Sequence, residues 1–377
     1  MKMARIKTVL YSCDLKFFEP LKASIRSLVK NWKGDLLELI IVSNDLGPDE
    51  MAELSLANPD PWLSFQLISF DVPLSREAVL YRGGHIQSLS TFARIYMGEY
   101  LPHHVEDLLY LDCDTLVRAD LSQLWEMDFQ GKAVLAVSDI CFYFRFSPLA
   151  KLGIEGFSEL AELPYFNAGM MRVDLKRWRE LGIQNKALEL IARFGPQLRN
   201  FDQDALNWAL RGQWQEISHR WNYLYMISFF PDLSIHQNLK NEFKSWKDNP
   251  AIVHFIYKIK PWDLDYYGPF KAEYLANWSL CNDESKNVTL KTATGIKSWV
   301  KSRILIWDSF EFGSMLFNAR LNHRQNGKFV RSGIVLAGYL LKKPWQLLLF
   351  PVGRLLGWRS ARKDVSALPR SMKQPAI

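Results

Sequence analysis

Residues 36–43 read LLELIIVS, a run with a single charged residue in it. A strand with one face in water alternates apolar and polar residues. A near-continuous apolar run has to be covered on both faces, and strands of that kind belong to sheets with helices packed on either side. The neighbouring segments fit that architecture. Residues 7–11 form a short apolar strand, and 17–32 carry helical spacing through Leu21, Ile25, Leu28 and Val29. Residues 49–56 read as a helix, 65–70 as a strand, 91–100 as a helix, 108–112 and 133–138 as strands. Strands alternating with helices predict an α/β fold built on a mostly parallel, doubly wound sheet. Such sheets bind ligands beyond the carboxyl ends of their strands. Asp14, the triplet Ser43-Asn44-Asp45 and the pair Asp112/Asp114 all fall at predicted carboxyl ends, so three polar groups share one rim.

Residues 160–260 are less regular. ELPYFNAGMMRVDLKRW places Asn167 in a predicted loop, where Gly169 allows close backbone approach. A helix is expected from about Asn185 to Phe194, and FDQDALNWAL opens another, with one of its acids serving as the N-cap. After Lys260-Pro261-Trp262 the alternation fades, and there is no internal repeat or low-complexity segment.

Charge divides the chain more sharply than hydropathy does. Residues 297–377 hold 15 Lys/Arg against three acids (Asp308, Glu311, Asp364), a net of +12; the whole chain is +7, which leaves −5 for the remainder. The asymmetry calls for an anionic partner for the tail. Apolar stretches at 333–341 and 345–356 fall short of the ~20 residues a spanning helix needs, and Trp299, Trp307, Trp345 and Trp358 lie among Lys/Arg. The pattern predicts interfacial helices on an anionic membrane, or else a helical subdomain packed on the body with a basic outer face. No nucleic-acid-binding module is recognisable. The division expected is a catalytic domain over 1–280 and a basic, Trp-rich helical region over 281–377. Cys13, Cys113, Cys141 and Cys281 show no CxxC spacing, and the N-terminus lacks a signal-peptide pattern. Both features predict reduced thiols and an intracellular protein, with the sequons at Asn277 and Asn287 coincidental.

The chemistry concentrates in LLYLDCDTLV, residues 108–117. Two carboxylates two residues apart at a strand end repel each other, and desolvation adds to that cost. A hard divalent cation removes both costs, because Asp oxygens suit Mg²⁺ or Mn²⁺. The bland alternative is an exposed turn with solvated Asp side chains. A second alternative is a haloacid-dehalogenase-type phosphatase, whose DxDx[T/V] motif Asp112-Cys113-Asp114-Thr115 matches; that family carries the motif on its first strand and needs a downstream acidic pair, which is absent here. His254 ends the apolar stretch AIVHF and can complete a ligand set of two Asp and one imidazole nitrogen, which favours Mn²⁺ over Mg²⁺.

Five stretches occur in order: Thr91-Phe-Ala-Arg94, LYLDCDTLV, Tyr165-Phe-Asn-Ala-Gly169, Phe201-Asp-Gln-Asp-Ala-Leu-Asn207, and His254 followed by Lys260-Pro-Trp262. With them the chain resembles a family 8 glycosyltransferase, the group of bacterial lipopolysaccharide galactosyl- and glucosyltransferases and of glycogenin, over residues 8 to about 265. The resemblance implies a GT-A type, Rossmann-like mixed sheet flanked by helices, a UDP-sugar donor, retention of anomeric configuration, and the metal triad Asp112, Asp114 and His254. It implies that Arg94 faces the donor, where a guanidinium suits phosphate and sugar oxygens, and that Lys260 faces the leaving diphosphate. Asn167 becomes a sugar-contacting amide, and Asp202 and Gln203 lie at the transferred sugar's hydroxyls and reacting face. Asp139 lies near donor sugar and acceptor, Asp14 at the uracil or ribose, and Ser12 and Cys113 join the donor site. The loop between the metal His and Lys260 departs from the family's small Gly-containing form, since it carries Tyr257. The expected activity is transfer of galactose or glucose to a lipid-linked saccharide such as a lipopolysaccharide core, at the cytoplasmic face of a membrane. A catalytically inactive sugar-nucleotide-binding protein is the non-enzymatic alternative. Covalent and front-face mechanisms both stay open.

Overall fold

The structure, a computed structural model, describes residues 6–73, 89–139, 164–198, 200–225, 245–256, 260–263, 266 and 268–279. These lie within one unit, Met1–Lys291. The basic tail with its tryptophans, the boundary expected at 280, Cys141, Cys281, Asn287 and Tyr257 fall outside the described residues. Among the described residues no helix is long and apolar enough to cross a membrane.

The strands in chain order are β1 (Lys7–Ser12), β2 (Leu37–Ser43), β3 (Leu63–Ser69), β4 (Asp107–Leu111), β5 (Thr115–Val117), β6 (Val134–Ser138), β7 (Phe166–Asp174), β8 (Trp214–Glu216), β9 (Tyr223–Leu224) and β10 (Ile252–His254). Seven form one sheet in the order β3-β2-β1-β4-β7-β6-β8; β5, β10 and β9 form a second, small sheet with β10 in the middle. The helices are α1 (Phe18–Asn31), α2 (Pro48–Ala57), α3 (Met97–Tyr100), α4 (Leu175–Glu180), α5 (Ile183–Phe194), α6 (Phe201–Ala209) and α7 (Lys271–Ser279).

β2 has the two buried faces its sequence requires. Leu37, Leu39 and Ile41 enter the core that α1 covers with Leu21, Ile25 and Leu28. Ile40 and Val42 face the opposite core, with Trp178 of α4, Ile191 of α5 and Leu206 of α6. Each such side chain contributes roughly 1.5–3 kcal/mol of apolar burial. β1 pairs in parallel with β2 on one side and β4 on the other, so the strand order reverses between β1 and β4. A crevice opens beyond the carboxyl ends at such a reversal. Tyr11 lies opposite Leu111, and the chains leaving that register run directly into Asp14 and Asp112.

Two expectations need correction. Asn167, expected in a loop, lies within β7, among the described residues the one strand that runs antiparallel to both its neighbours, β4 and β6, in the otherwise parallel seven-stranded sheet. Asn-Ala-Gly has poor intrinsic strand preference, and pairing on both sides overrides it. The register between β6 and β7 jumps from Ala136↔Met171 to Val137↔Asn167, so residues 168–170 of β7 bulge. The segment 91–100 is not a single α-helix. Leu89–Tyr96 is a 3₁₀ helix and only Met97–Tyr100 is α. Three residues per turn align Thr91 with Arg94, whose guanidinium bonds back to Thr91.

The turn after β4 is tied to α1 by buried hydroxyls. Tyr11 Oη and Ser24 Oγ are 3.1 Å apart, Ser24 Oγ and Thr115 Oγ1 2.8 Å, and Thr115 Oγ1 donates to the Asp112 carbonyl at 2.8 Å. Thr115→Val keeps the shape and removes the last two links. We expect a loss of about 1–3 kcal/mol in denaturant unfolding, the cost of stranding a buried acceptor.

Candidate active site

Asp112 and Asp114 follow β4, and His254 ends β10 of the small sheet, where it lies in register with Thr115 of β5. One ligand atom from each of the three lies within 4.8 Å of the others. His254 Nε2 is 3.3 Å from Asp114 Oδ1 and 3.6 Å from Asp112 Oδ2. Lys260 Nζ contacts Asp114 Oδ2 at 2.5 Å and donates to the Phe255 carbonyl at 2.6 Å. Burial alone would raise the Asp114 carboxyl, but the Lys260 ammonium at its Oδ2 leads the groups that hold it well below the usual carboxylate range.

This donor set, two carboxylates and an imidazole, suits a divalent transition cation, and the backbone is shaped to bring it together. A Cβ on Gly169 would lie 2.1 Å from His254 Cε1 and 2.8 Å from Asp112 Oδ2. Both ligands therefore close over a residue that has no side chain. The three residues fit a metal.

Arg94 is buried and committed to its neighbours. Its Nη1 donates to the Ala168 carbonyl at 2.7 Å, Nη2 to Thr91 Oγ1 at 2.7 Å, and Nη2 also pairs with Asp112 Oδ1 at 3.0 Å. Its Nε lies 2.9 Å from Asp202 Oδ2, yet the Nε hydrogen is directed at the Thr91 carbonyl, so that carboxylate oxygen has an ion-pair contact and no hydrogen bond. Burial pushes the Asp202 carboxyl up to about 6, with Arg94 opposing and Asp112 reinforcing the rise. Tyr110 donates to Asp112 Oδ1 at 2.9 Å.

Gln203 is fixed at both ends of its amide. Its Oε1 accepts from Ala168 N at 3.0 Å, and its Nε2 donates to Asp139 Oδ2 and to Tyr165 Oη, each at 3.2 Å. What it can still offer a substrate is a carbonyl lone pair. Asp139 Oδ2 also accepts from Asn167 Nδ2 at 2.9 Å. The N-cap expected to be one of the acids is instead Asn200, with no side-chain cap bond; Asp204, inside the helix, reaches back to accept from Asn200 N at 2.9 Å and accepts from Tyr165 Oη at 2.5 Å.

Asp14 Oδ1 accepts from Phe17 N at 3.0 Å and caps the short 3₁₀ turn after β1. Ser12 Oγ donates to the Ser90 carbonyl. Cys113 Sγ lies 3.3 Å from the Ser12 carbonyl; Cys13 and Cys113 are both free and buried. The structure thus gathers Arg94, Asp112, Asp114, Asp139, Asn167, Asp202, Gln203, His254 and Lys260 into one polar cluster, with Ser12, Cys113 and Asp14 at its β1 edge. Sequence reasoning passed over Asn222 and Tyr165 as individual groups. Tyr165 opens the motif Tyr165-Phe-Asn-Ala-Gly169; Asn222, in SHRWNYLY, carries no local signal.

The family model "Glycosyl transferase family 8" matches residues 8–265, more than half the chain. The chain belongs to glycosyltransferase family 8. It is an enzyme of the glycosyltransferase class, and the phosphatase alternative is set aside. Among curated relatives, General stress protein A of Bacillus subtilis (strain 168) is 27% identical over 281 residues, covering 73% of this chain and 93% of that protein. Lipopolysaccharide 1,2-glucosyltransferase of Escherichia coli (strain K12) is 25% identical over 270 residues, 69% of this chain and 75% of that one. The crystal structure of galactosyltransferase LgtC with donor and acceptor sugar analogs superposes with a TM-score of 0.59 at 21% identity, covering 72% of this chain and 95% of LgtC. The family's mixed, parallel-rich GT-A sheet with flanking helices is the fold described above.

Two outcomes are expected of this family 8 site. Gly169→Ala should leave the protein folded and reduce glycosyl transfer at least a hundredfold, because the methyl displaces His254 and Asp112 together; steady-state kinetics with circular dichroism as the folding control checks it. Asp202 binds its proton more tightly folded than unfolded, so its contribution to stability falls as pH rises from about 4 to about 6 and stays lost above. Asp202→Asn should remove that decline, worth up to about 3 kcal/mol, when unfolding curves of both proteins are compared across that range.

Proposed function

We propose that the protein is a metal-dependent, configuration-retaining hexosyltransferase that moves galactose or glucose from a UDP-sugar to a lipid-linked oligosaccharide such as a lipopolysaccharide core. The observation that carries this reading is the convergence of Asp112, Asp114 and His254 over Gly169, with Lys260 against Asp114. The similarity to a lipopolysaccharide 1,2-glucosyltransferase and to a galactosyltransferase supports the sugar class and the acceptor.

A divalent cation held by Asp112, Asp114 and His254 supplies positive charge to a nucleotide diphosphate when bound, and the imidazole nitrogen favours Mn²⁺ over Mg²⁺. Lys260 brings a second, tethered positive charge to the leaving diphosphate. Arg94 holds Asp112 and Asp202 in fixed relation and borders the donor. Asp14, Ser12 and Cys113 line the nucleotide end; Asn167, Asp139, Asp202 and Gln203 surround the transferred sugar.

The two carboxyls nearest that sugar make poor nucleophiles. Asp139 Oδ2 already accepts two amide hydrogens, and the Asp202 oxygens are engaged by Arg94 and by the Thr91 hydroxyl. We therefore favour front-face transfer. The acceptor hydroxyl forms its bond to the anomeric carbon on the side from which the diphosphate oxygen leaves, and its proton passes to that departing phosphate. The Gln203 carbonyl lone pair faces the positive charge that develops on the sugar.

The +12 tail would hold the enzyme on the anionic cytoplasmic face of a membrane, each basic residue near the surface contributing about 1 kcal/mol. Vesicle co-sedimentation checks it: the full chain should bind anionic vesicles, more weakly as salt rises, and a chain ending near residue 290 should not.

UDP release from a panel of UDP-sugars tests the chemistry. One UDP-hexose should be hydrolysed slowly without acceptor when Mn²⁺ is present. Chelator should abolish that release, and Asp114→Ala should lower it at least a hundredfold. Full turnover in chelator would remove the metal assignment.

A further inference from the structure

One group that can only donate fixes the orientation of every amide beside the imidazole. Gly169 N lies 3.0 Å from a terminal atom of the Asn167 side chain. A backbone N–H has no lone pair to offer, so that atom is the amide oxygen. Asn222 approaches the same oxygen at 2.9 Å, and the approaching atom must therefore be its NH₂ group. The other terminal atom of Asn222 is then its carbonyl oxygen, 3.1 Å from His254 Nδ1. A carbonyl only accepts, so Nδ1 carries a hydrogen, and in the neutral ring that is the one hydrogen. At the far end Asn167 Nδ2 donates to Asp139 Oδ2 at 2.9 Å. Asn222 is 0% exposed, and His254, Asp139 and Asn167 are each 5% exposed or less, so water does not compete for these bonds.

The tautomer matters because the ring has a self-satisfied alternative. With its hydrogen on Nε2, His254 would donate to Asp114 Oδ1, 3.3 Å away, and the pair would close on itself. With the hydrogen on Nδ1, the Nε2 lone pair meets two carboxylate oxygens and leaves three acceptors facing a common point.

We propose that Asn222 is a positioning residue: it locks His254 in the Nδ1–H tautomer, turns the Nε2 lone pair towards Asp112 and Asp114, and ties that lock through Asn167 to Asp139. The consequence for metal affinity rests on the reading that these three residues hold a divalent cation. The lock itself is a property of the metal-free chain. Ligand histidines generally donate their second nitrogen to a fixed acceptor, and losing that acceptor weakens metal binding by about 10–100-fold. Here the acceptor is an amide whose other end reaches the group of residues assigned to the sugar, so the two halves of the site share one hydrogen-bonded chain.

Long-range ¹H–¹⁵N NMR of histidine-labelled, metal-free protein tests the lock, with His254→Gln to assign the signal. At a pH high enough to keep the ring neutral, the wild type should show a protonated Nδ1 and a bare Nε2. Asn222→Asp keeps an acceptor towards Nδ1 and should keep the tautomer, with Mn²⁺ affinity within a few-fold of wild type. Asn222→Leu should give a tautomer mixture and bind Mn²⁺ about 10–100-fold more weakly. A neutral ring with its hydrogen on Nε2 in the wild type or in Asn222→Asp overturns the proposal, as does an unchanged tautomer in folded Asn222→Leu. If Asn222→Leu does not fold, the other two spectra still decide. A bare Nε2 in a wild type that binds no Mn²⁺ upholds the lock and removes the metal reading instead.

Discussion

Asp112 and Asp114 repel each other at the mouth of a buried strand, and the surrounding structure answers that repulsion. Lys260 takes one oxygen of Asp114, and Arg94 and Tyr110 take one oxygen of Asp112. Each aspartate keeps its other oxygen for the side facing His254 Nε2. Arg94 and Lys260 bring two positive charges to a cluster in which Asp112, Asp114, Asp139 and Asp202 bring four carboxyls. A divalent cation meets the rest, and the three ligand atoms converge where it is needed. Of the buried charges, those on the two aspartates are paired from behind and open in front.

The backbone makes that convergence possible through one antiparallel strand. β7 separates β4 from β6, bulges at residues 168–170, and presents Gly169 beneath both His254 and Asp112. The same short stretch serves three other groups. The Ala168 carbonyl receives Arg94, the Ala168 N–H orients Gln203, and Asn167 spans from Asp139 to Asn222. A substitution in 167–169 is therefore felt at the metal side and the sugar side together.

The parts of this arrangement that could be read from sequence are those governed by local pattern. The doubly buried run at 36–43 became β2 one residue shorter, and the helical spacing at 17–32 became α1 over Phe18–Asn31. The carboxylate pair and His254 were legible because apolar lead-ins mark them as strand ends, and the resemblance supplied their shared role. What escaped was set by tertiary contact. The direction of β7 depends on its neighbours and not on Asn-Ala-Gly. The 3₁₀ geometry at Leu89–Tyr96 brings Thr91 and Arg94 into line, which periodicity alone does not separate from α. Asn222 lies 32 residues from His254 in an unremarkable segment, so only folding makes it a partner. Asp14 also had a plainer use, as the cap of the turn after β1, beside the role the resemblance gave it.

The central claim is that the imidazole of His254 and the carboxylates of Asp112 and Asp114 hold one divalent cation. Pulsed electron paramagnetic resonance of Mn²⁺ added with UDP tests it most directly, because a directly bound imidazole nitrogen modulates the manganese echo. The account predicts ¹⁴N modulation in the wild type, its loss in His254→Ala, and weaker Mn²⁺ binding in that variant. Tight Mn²⁺ binding without nitrogen modulation in the wild type, or an unchanged echo in His254→Ala, would contradict it.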